Sequence, residues 1–366
     1  MKKRVGLLFG GKSAEHEVSL QSAKNVIEAI DYDKYDVVLI GIDKEGRWHL
    51  NDTSDFLINA ENPKLIALNK TNKGISIIPG ENKNQLMASS DSEALKQLDV
   101  IFPILHGTLG EDGSIQGMLR VANIPYVGSN VLGSAISMDK DIAKRLLKDA
   151  GLNVADSYTF TRASRNSISY AEIKQELKLP YFIKPANQGS SVGVSKVETE
   201  EDFEVAVSEA FKYDHKILIE EGIKGREIEC SILGNENPRA SIPGEIIATN
   251  DFYSYEAKYI DESGAALEIP AKLDQKITKQ IQEVAIQAFQ ALNCEGMARV
   301  DVFLTEDNEI IINEINTIPG FTKISMYPKL WELSGVSYSQ LIDGLIELAI
   351  ERYERDVSLA SSFESN

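Results

Sequence analysis

The chain has 366 residues, more than a single hydrophobic core comfortably serves, so two or three domains are expected. Its 38 Lys+Arg against 56 Asp+Glu leave a formal net charge of -18, which repels phosphate backbones and anionic bilayers and excludes nucleic acid and membrane surfaces as partners. Cys230 and Cys294 are the only cysteines, which excludes a disulfide framework and a four-cysteine zinc site.

The apolar run at 5–9 is broken at once by Gly10-Gly11-Lys12, too short for a signal-peptide core. No other stretch approaches the roughly 20 apolar residues of a membrane span, and a cytoplasmic chain is expected. Residues 5–9 read as a buried parallel strand and 10–16 as a loop. Leu20, Ala23, Val26, Ile27 and Ile30 follow at helical spacing, and 36–42 is a second buried strand. Strand, glycine loop, helix and strand open a doubly wound α/β domain. From about 51 to 98 the pattern weakens into a polar insertion, after which 100–105 resumes the sheet and leads to His106 and a glycine-rich turn. Ile142, Leu146, Leu147 and Ala150 share a helical face that Gly151 terminates. Residues 180–185 form a strand closed by proline, ahead of a small-residue loop at 187–193. A strand at 216–219 ends in Glu220-Glu221, and an amphipathic helix spans 274–292. Residues 298–304 and 309–316 pair as a hairpin, and a closing helix carries the capping box Ser337 and Gln340. The tail from 358 to 366 is expected to fray.

Gly6 to Ser13 satisfies the P-loop pattern letter for letter, yet its context is wrong. A P-loop opens at the end of a strand, whereas Gly6 lies inside the apolar run. Glu15 would also set a carboxylate where triphosphate should lie; an anion there suits an amine ligand. The hairpin carries more chemistry. Arg299 and Asp301 share a face of one strand, and Glu314 and Asn316 a face of the next. An even-numbered loop would point both pairs the same way. Two carboxylates and an amide oxygen then form a hard-oxygen site for Mg²⁺, with Arg299 balancing charge or stabilising an oxyanion. Lys184, at a strand end before the 187–193 loop, has the position of a phosphate clamp under a closing flap. Lys140 precedes a helix, and Glu220 and Glu227 are placed to accept hydrogen bonds from ribose or an amine. The segment 253–259 suits a lid that brings Lys258 to phosphate.

These residues resemble the D-alanine–D-alanine ligases of the ATP-grasp superfamily. The resemblance runs through GGKSAEHEVSL (10–20), HGTLGEDG (106–113), MDK (138–140), FIKPANQGSSVGVSKV (182–197), YSYEAKY (253–259), ARVDVF (298–303) and NEINTIPGFTKIS (313–325). It implies an α/β ATP-grasp fold: a Rossmann-like N-terminal domain over 1–138, a central subdomain over 139–218 with the flap, and a C-terminal subdomain over 219–357 with a lid at 251–260. It implies that Lys140 and Lys184 hold ATP phosphates and that Glu220, Ile223 and Glu227 shape the adenosine pocket. Asp301, Glu314 and Asn316 would bind two Mg²⁺ ions, with Mn²⁺ an alternative. Glu15, networked with Ser190 and Tyr259, would hold the ammonium of the first D-alanine. Lys258, Arg299 and the Gly320 N–H would meet the transferred phosphate or the oxyanion, and Ser325 the carboxylate of the second D-alanine. The implied reaction is ATP-dependent ligation of two D-alanines through an acyl phosphate, for peptidoglycan precursors, by a homodimer. Glu221 stands where some relatives carry lysine. The rival readings are a depsipeptide ligase accepting D-lactate, another ATP-grasp ligase, a P-loop NTPase working through Lys12, and a non-catalytic amino-acid-binding protein.

Overall fold

The structure, a computed structural model, describes residues 2–71, 73–80, 85–88, 97–177, 179–248 and 265–359. The expected lid at 251–260, with Lys258 and Tyr259, lies outside the described residues.

β1 (Lys3–Gly10) runs longer than its apolar core, and α1 (His16–Ala29) begins at the end of the glycine loop. Gly10 and Gly11 take φ of +89° and +99°, a turn that a side chain would strain. β2 (Tyr35–Ile42) pairs parallel with β1, and β3 (Trp48–Asn51) adds antiparallel to β2. The 51–98 region carries two antiparallel pairs, β4 (Leu57–Ile58) with β5 (Ala67–Leu68) and β6 (Ile75–Ile77) with β7 (Leu86–Ala88). Polar as it reads, it buries Phe56, Ile66 and Leu68 with Leu7 and Phe9 on one side of the sheet, and Leu86 with Leu8 and Ile40 on the other. β8 (Val100–Ile104) completes the sheet beside β1. α2 (Ser114–Val121), α3 (Val131–Met138) and α4 (Lys140–Asp149) then lead to the second unit.

That unit is an antiparallel sheet. β9 (Ser157–Thr161), α5 (Tyr170–Glu176), β10 (Tyr181–Pro185), β11 (Ser195–Val197), α6 (Glu200–Tyr213) and β12 (Lys216–Glu221) give the order β11-β10-β12-β9. Phe203 and Phe211 of α6 close the core over Tyr181, Ile183, Ile217 and Ile219. The domain boundary expected at 218 falls inside β12, so Glu220 stays in this sheet.

The third sheet is built from β13 (Arg226–Gly234), β14 (Arg239–Ala240), β15 (Gly244–Ala248), β16 (Ala265–Glu268), β17 (Gly296–Leu304) and β18 (Ile310–Asn316). Its main path is β16-β15-β13-β17-β18. α7 (Gln275–Ala291), capped by the Asp274 side chain on the Ile277 N–H at 2.8 Å, lays Ile281, Ala285 and Phe289 on Ile228, Val300, Val302 and Ile312. α8 (Met326–Leu333) and α9 (Tyr338–Val357) close the chain. The Ser337–Gln340 capping box forms as expected. α9 does not serve the third sheet alone: Leu341, Ile342, Leu345 and Ile346 share a core with Val5, Leu7 and Phe9 of β1.

The hairpin departs from its expected condition. β17 ends and β18 begins with Leu304 opposite Ile310, leaving five loop residues, an odd number. A register shift next to Asp301 restores the phase: Val302 faces Ile312 but Asp301 faces Glu314, with Asn313 as the extra residue.

Candidate active site

Two cavities meet where the three sheets converge. The larger, about 460 Å³, is lined by Lys140, Lys184, Glu220, Ile223, Glu227, Asn313 and Glu314 among others. The smaller, about 70 Å³, is lined by Glu15, Glu229, Arg299, Asn316, Gly320 and Ser325 among others. Ser190 and Glu314 line both.

Glu15 immediately precedes α1 and is 6% exposed. Its Oε1 accepts a hydrogen bond from the Ser190 hydroxyl, which joins the 187–193 loop to the first sheet. Ser190 and Ser191 hold φ of +51° and +61°, so this loop is tightly turned. Two glycines make room for the carboxylate: a Cβ at Gly107 would lie 2.5 Å from Glu15 Oε2, and one at Gly189 2.8 Å.

Lys140 is the first residue of α4 rather than a residue ahead of it. Its Nζ donates to the Gln188 carbonyl at 2.8 Å and lies 3.6 Å from Glu314 Oε2. Lys184, on β10, pairs with Glu220 Oε1 at 2.6 Å. Sequence reasoning missed Lys144, whose Nζ pairs with Glu220 Oε2, also at 2.6 Å. Its signal was its position one helical turn beyond Lys140. Burial opposes the charge on Glu220, yet Lys184 and Lys144 hold its carboxyl below the usual range. Glu221 also lines the larger cavity, and its Oε1 accepts from the Asp156 N–H at 3.0 Å.

Three carboxylates stand in a row across the third sheet: Glu229 opposite Asp301, and Asp301 opposite Glu314. Like charges in register repel, so cations must intervene. Arg299 grips Asp301 with Nε and Nη2 at 2.7 and 2.6 Å and meets Glu229 at 3.0 Å. Asn316 Nδ2 donates to Asp301 Oδ2 at 3.0 Å. Glu229 was also missed, although it lies two residues beyond Glu227 on one strand face.

The loop after β18 is tied to the first sheet. His106 Nδ1–H donates to the Ile318 carbonyl at 3.0 Å, and its Nε2 faces the Ser22 hydroxyl at 3.1 Å. Burial pushes this imidazole down to about 4, so it is neutral near pH 7, and it lines the smaller cavity. Glu111 accepts from the Gly107 and Ile318 N–H groups at 2.7 and 3.2 Å. Burial and the Glu15 charge push Glu111 up to about 8. Beyond this tether, Gly320 approaches Ser325 so closely that a Cβ would sit 2.7 Å from its Oγ. Ser325 Oγ accepts from the Thr322 N–H at 3.0 Å at the start of α8.

Gly6 lies inside β1, so the P-loop pattern is spent on a strand; Lys12 is exposed and lines neither cavity.

An antiparallel α+β sheet facing a second α+β sheet across a cleft lined by Lys140 and Lys184, behind a Rossmann-like unit, defines an ATP-grasp enzyme. The comparisons narrow the class. Family models described as D-ala D-ala ligase N-terminus and C-terminus match residues 4–129 and 146–347. The chain is 71% identical over 362 residues to a D-alanine–D-alanine ligase of Oceanobacillus iheyensis, covering 99% of each chain. It superposes on the D-alanine–D-alanine ligase of Coxiella burnetii with a TM-score of 0.84 at 39% identity, over 98% of this chain and 96% of that one. It matches the Bacillus anthracis D-alanine–D-alanine ligase complexed with ATP with a TM-score of 0.72 at 27% identity, over 97% of this chain and 99% of that one. The chain belongs to the D-alanine–D-alanine ligase family.

Proposed function

We propose that the two cavities divide the work of an ATP-dependent D-alanine–D-alanine ligase serving peptidoglycan precursor synthesis: the larger takes ATP, the smaller the amino acids. The observation that carries this reading is their common wall. Ser190 and Glu314 border both, so a γ-phosphate leaving one cavity enters the other beside a bound carboxylate.

In this reading Ile223, Glu220 and Glu227 surround the nucleoside, while Lys140 and Lys184 receive phosphate. Glu15, oriented by the Ser190 hydroxyl, binds the ammonium of the first D-alanine. The carboxylate of that D-alanine attacks the γ-phosphorus, giving an acyl phosphate and ADP. The amine of the second D-alanine, whose carboxylate rests on Ser325 at the head of α8, then attacks the acyl carbon. Arg299 and the Gly320 N–H stabilise the tetrahedral oxyanion, phosphate departs, and the amine gives up a proton. The flap at 187–193, linked to Glu15 through Ser190, keeps water from the acyl phosphate. Lys258 and Tyr259, outside the described residues, keep their proposed roles at phosphate and in the Glu15–Ser190 network.

Asp301, Glu314 and Asn316 are adjacent, recessed and offer only hard donors, a set that fits Mg²⁺, or Mn²⁺, once the Asn316 amide presents its oxygen. Ions bound there would offset the charge on the β- and γ-phosphates.

The reading includes a cytoplasmic location, where ATP is supplied; among the described residues no helix is long and apolar enough to cross a membrane. It also includes a homodimer through the N-terminal unit, where adjacent helices α2 and α3 leave Val121 and Leu132 63% and 57% exposed. Sedimentation of the purified chain tests the dimer. Incubation with ATP, Mg²⁺ and D-alanine, with a parallel arm offering D-lactate, tests the activity. Phosphate and D-alanyl-D-alanine are expected; absence of dipeptide overturns the reading.

A further inference from the structure

Lys144, Glu220 and Lys184 form a buried cluster of two cations on one anion. The three residues are 5%, 4% and 8% exposed, and each lysine takes one oxygen of the carboxylate at 2.6 Å. Among the described residues, Lys144 Nζ reaches only the Ala155 carbonyl, at 3.4 Å, apart from Glu220, and the residue does not line the nucleotide cleft, whereas Lys184 and Glu220 do. Burial holds the Lys144 ammonium below its usual value, against the pull of Glu220. A lysine kept charged there at that cost needs a purpose beyond filling space.

The charge count suggests one. With both lysines on Glu220 the cluster carries one excess positive charge, facing the cleft through Lys184. An arriving phosphate draws Lys184 toward itself. Were Lys184 the only partner of Glu220, that movement would strand a buried carboxylate, and the cost would be taken from nucleotide affinity. We propose that Lys144 is a positioning residue for nucleotide: it keeps Glu220 ionised and fixed while Lys184 is handed from the carboxylate to phosphate. The inference rests on the nucleotide-cleft reading above and adds a residue behind that cleft.

The test is ADP binding by calorimetry on the full chain, with Lys144→Met, Lys144→Arg, Glu220→Gln, Lys184→Met and the double variant Lys144→Met/Glu220→Gln. Lys144→Met is expected to weaken ADP about tenfold while the KM for D-alanine stays within twofold, and Lys144→Arg is expected to recover most of that loss. In the Glu220→Gln background there is no carboxylate left to strand, so adding Lys144→Met should cost less than threefold. A merely structural lysine would give the same loss in both backgrounds. Should Lys144→Met fold poorly, Lys144→Gln serves in its place, with the melting temperature of the nucleotide-free protein as the control. A loss below threefold in the wild-type background, or the full loss in the Glu220→Gln background, overturns the proposal. If Lys184→Met and Glu220→Gln also leave ADP binding unchanged, the nucleotide-cleft reading itself falls.

Discussion

Asp301 faces Glu314 across β17 and β18 because Asn313 bulges out of the ladder between them. In the register set at the hairpin end, where Leu304 meets Ile310, Asp301 would face Asn313 and Glu314 would fall opposite Val300, on the other side of the sheet. The bulge therefore brings the carboxylates together and also delivers Asn313 to the wall of the larger cavity.

If that pairing holds divalent metal, Asp301→Asn should lower kcat by at least about a hundredfold, within the range for losing a group that stabilises transferring phosphate. It should also raise the Mg²⁺ concentration needed for half-maximal rate. Lys12→Ala should leave both within twofold. The reverse order of severity would restore the P-loop reading.

The Ser190 hydroxyl orients Glu15, and hydrogen bonds to charged groups contribute about 1.5–3 kcal/mol. Ser190→Ala is thus expected to raise the KM for the first D-alanine about tenfold while the KM for ATP changes little. Initial-rate kinetics with each substrate varied separately will read this. Equal rises in both would mean that the loop, rather than the carboxylate, was disturbed.

Gly107 combines φ of +74° with a projected Cβ only 2.5 Å from Glu15 Oε2. Gly107→Ala should cost about 1–3 kcal/mol of stability by denaturant titration, together with a loss of D-alanine affinity. Wild-type stability in this variant would show that the Glu15 side chain has room to move away.

Glu111 makes ligand-free stability depend on pH. Its carboxyl is raised from 4.5 to about 8, by burial first and then by Glu15. A raised native value means that the folded chain holds the proton more tightly than the unfolded chain. The stabilising contribution is full below pH 4.5 and is lost as pH rises toward about 8. Melting temperatures measured across that interval should fall more steeply for the wild type than for Glu111→Gln, which keeps a neutral side chain throughout. Parallel curves would assign the pH dependence elsewhere.

Much of the site was legible because period-two alternation and helical stripes are local signals. Arg299 with Asp301, Glu314 with Asn316, the 274–292 stripe and the Ser337 cap needed no knowledge of distant contacts. Lys144 and Glu229 escaped because their meaning is non-local. Each resembles an ordinary charged residue until Glu220 or Arg299 is brought against it from another element. The bulge escaped because a single extra residue leaves no mark in alternation so short. The 51–98 region read as a polar insertion because the apolar residues it adds to the core, such as Phe56, Ile66, Leu68 and Leu86, are spaced without period and are divided between two faces of the sheet.

The seating of α9 on the first strand has an outcome for biosynthesis. Val5, Leu7 and Phe9 leave the ribosome long before the helix that shares their core, with Leu341, Ile342, Leu345 and Ile346, which is translated more than 300 residues later. At about 5–20 residues per second the opening strand waits for at least roughly fifteen seconds with part of its apolar surface uncovered. A nascent chain stalled before α9 should accordingly be a client for chaperones, and shortening the chain from its carboxyl end should destabilise the amino-terminal sheet before the sheet it follows in sequence.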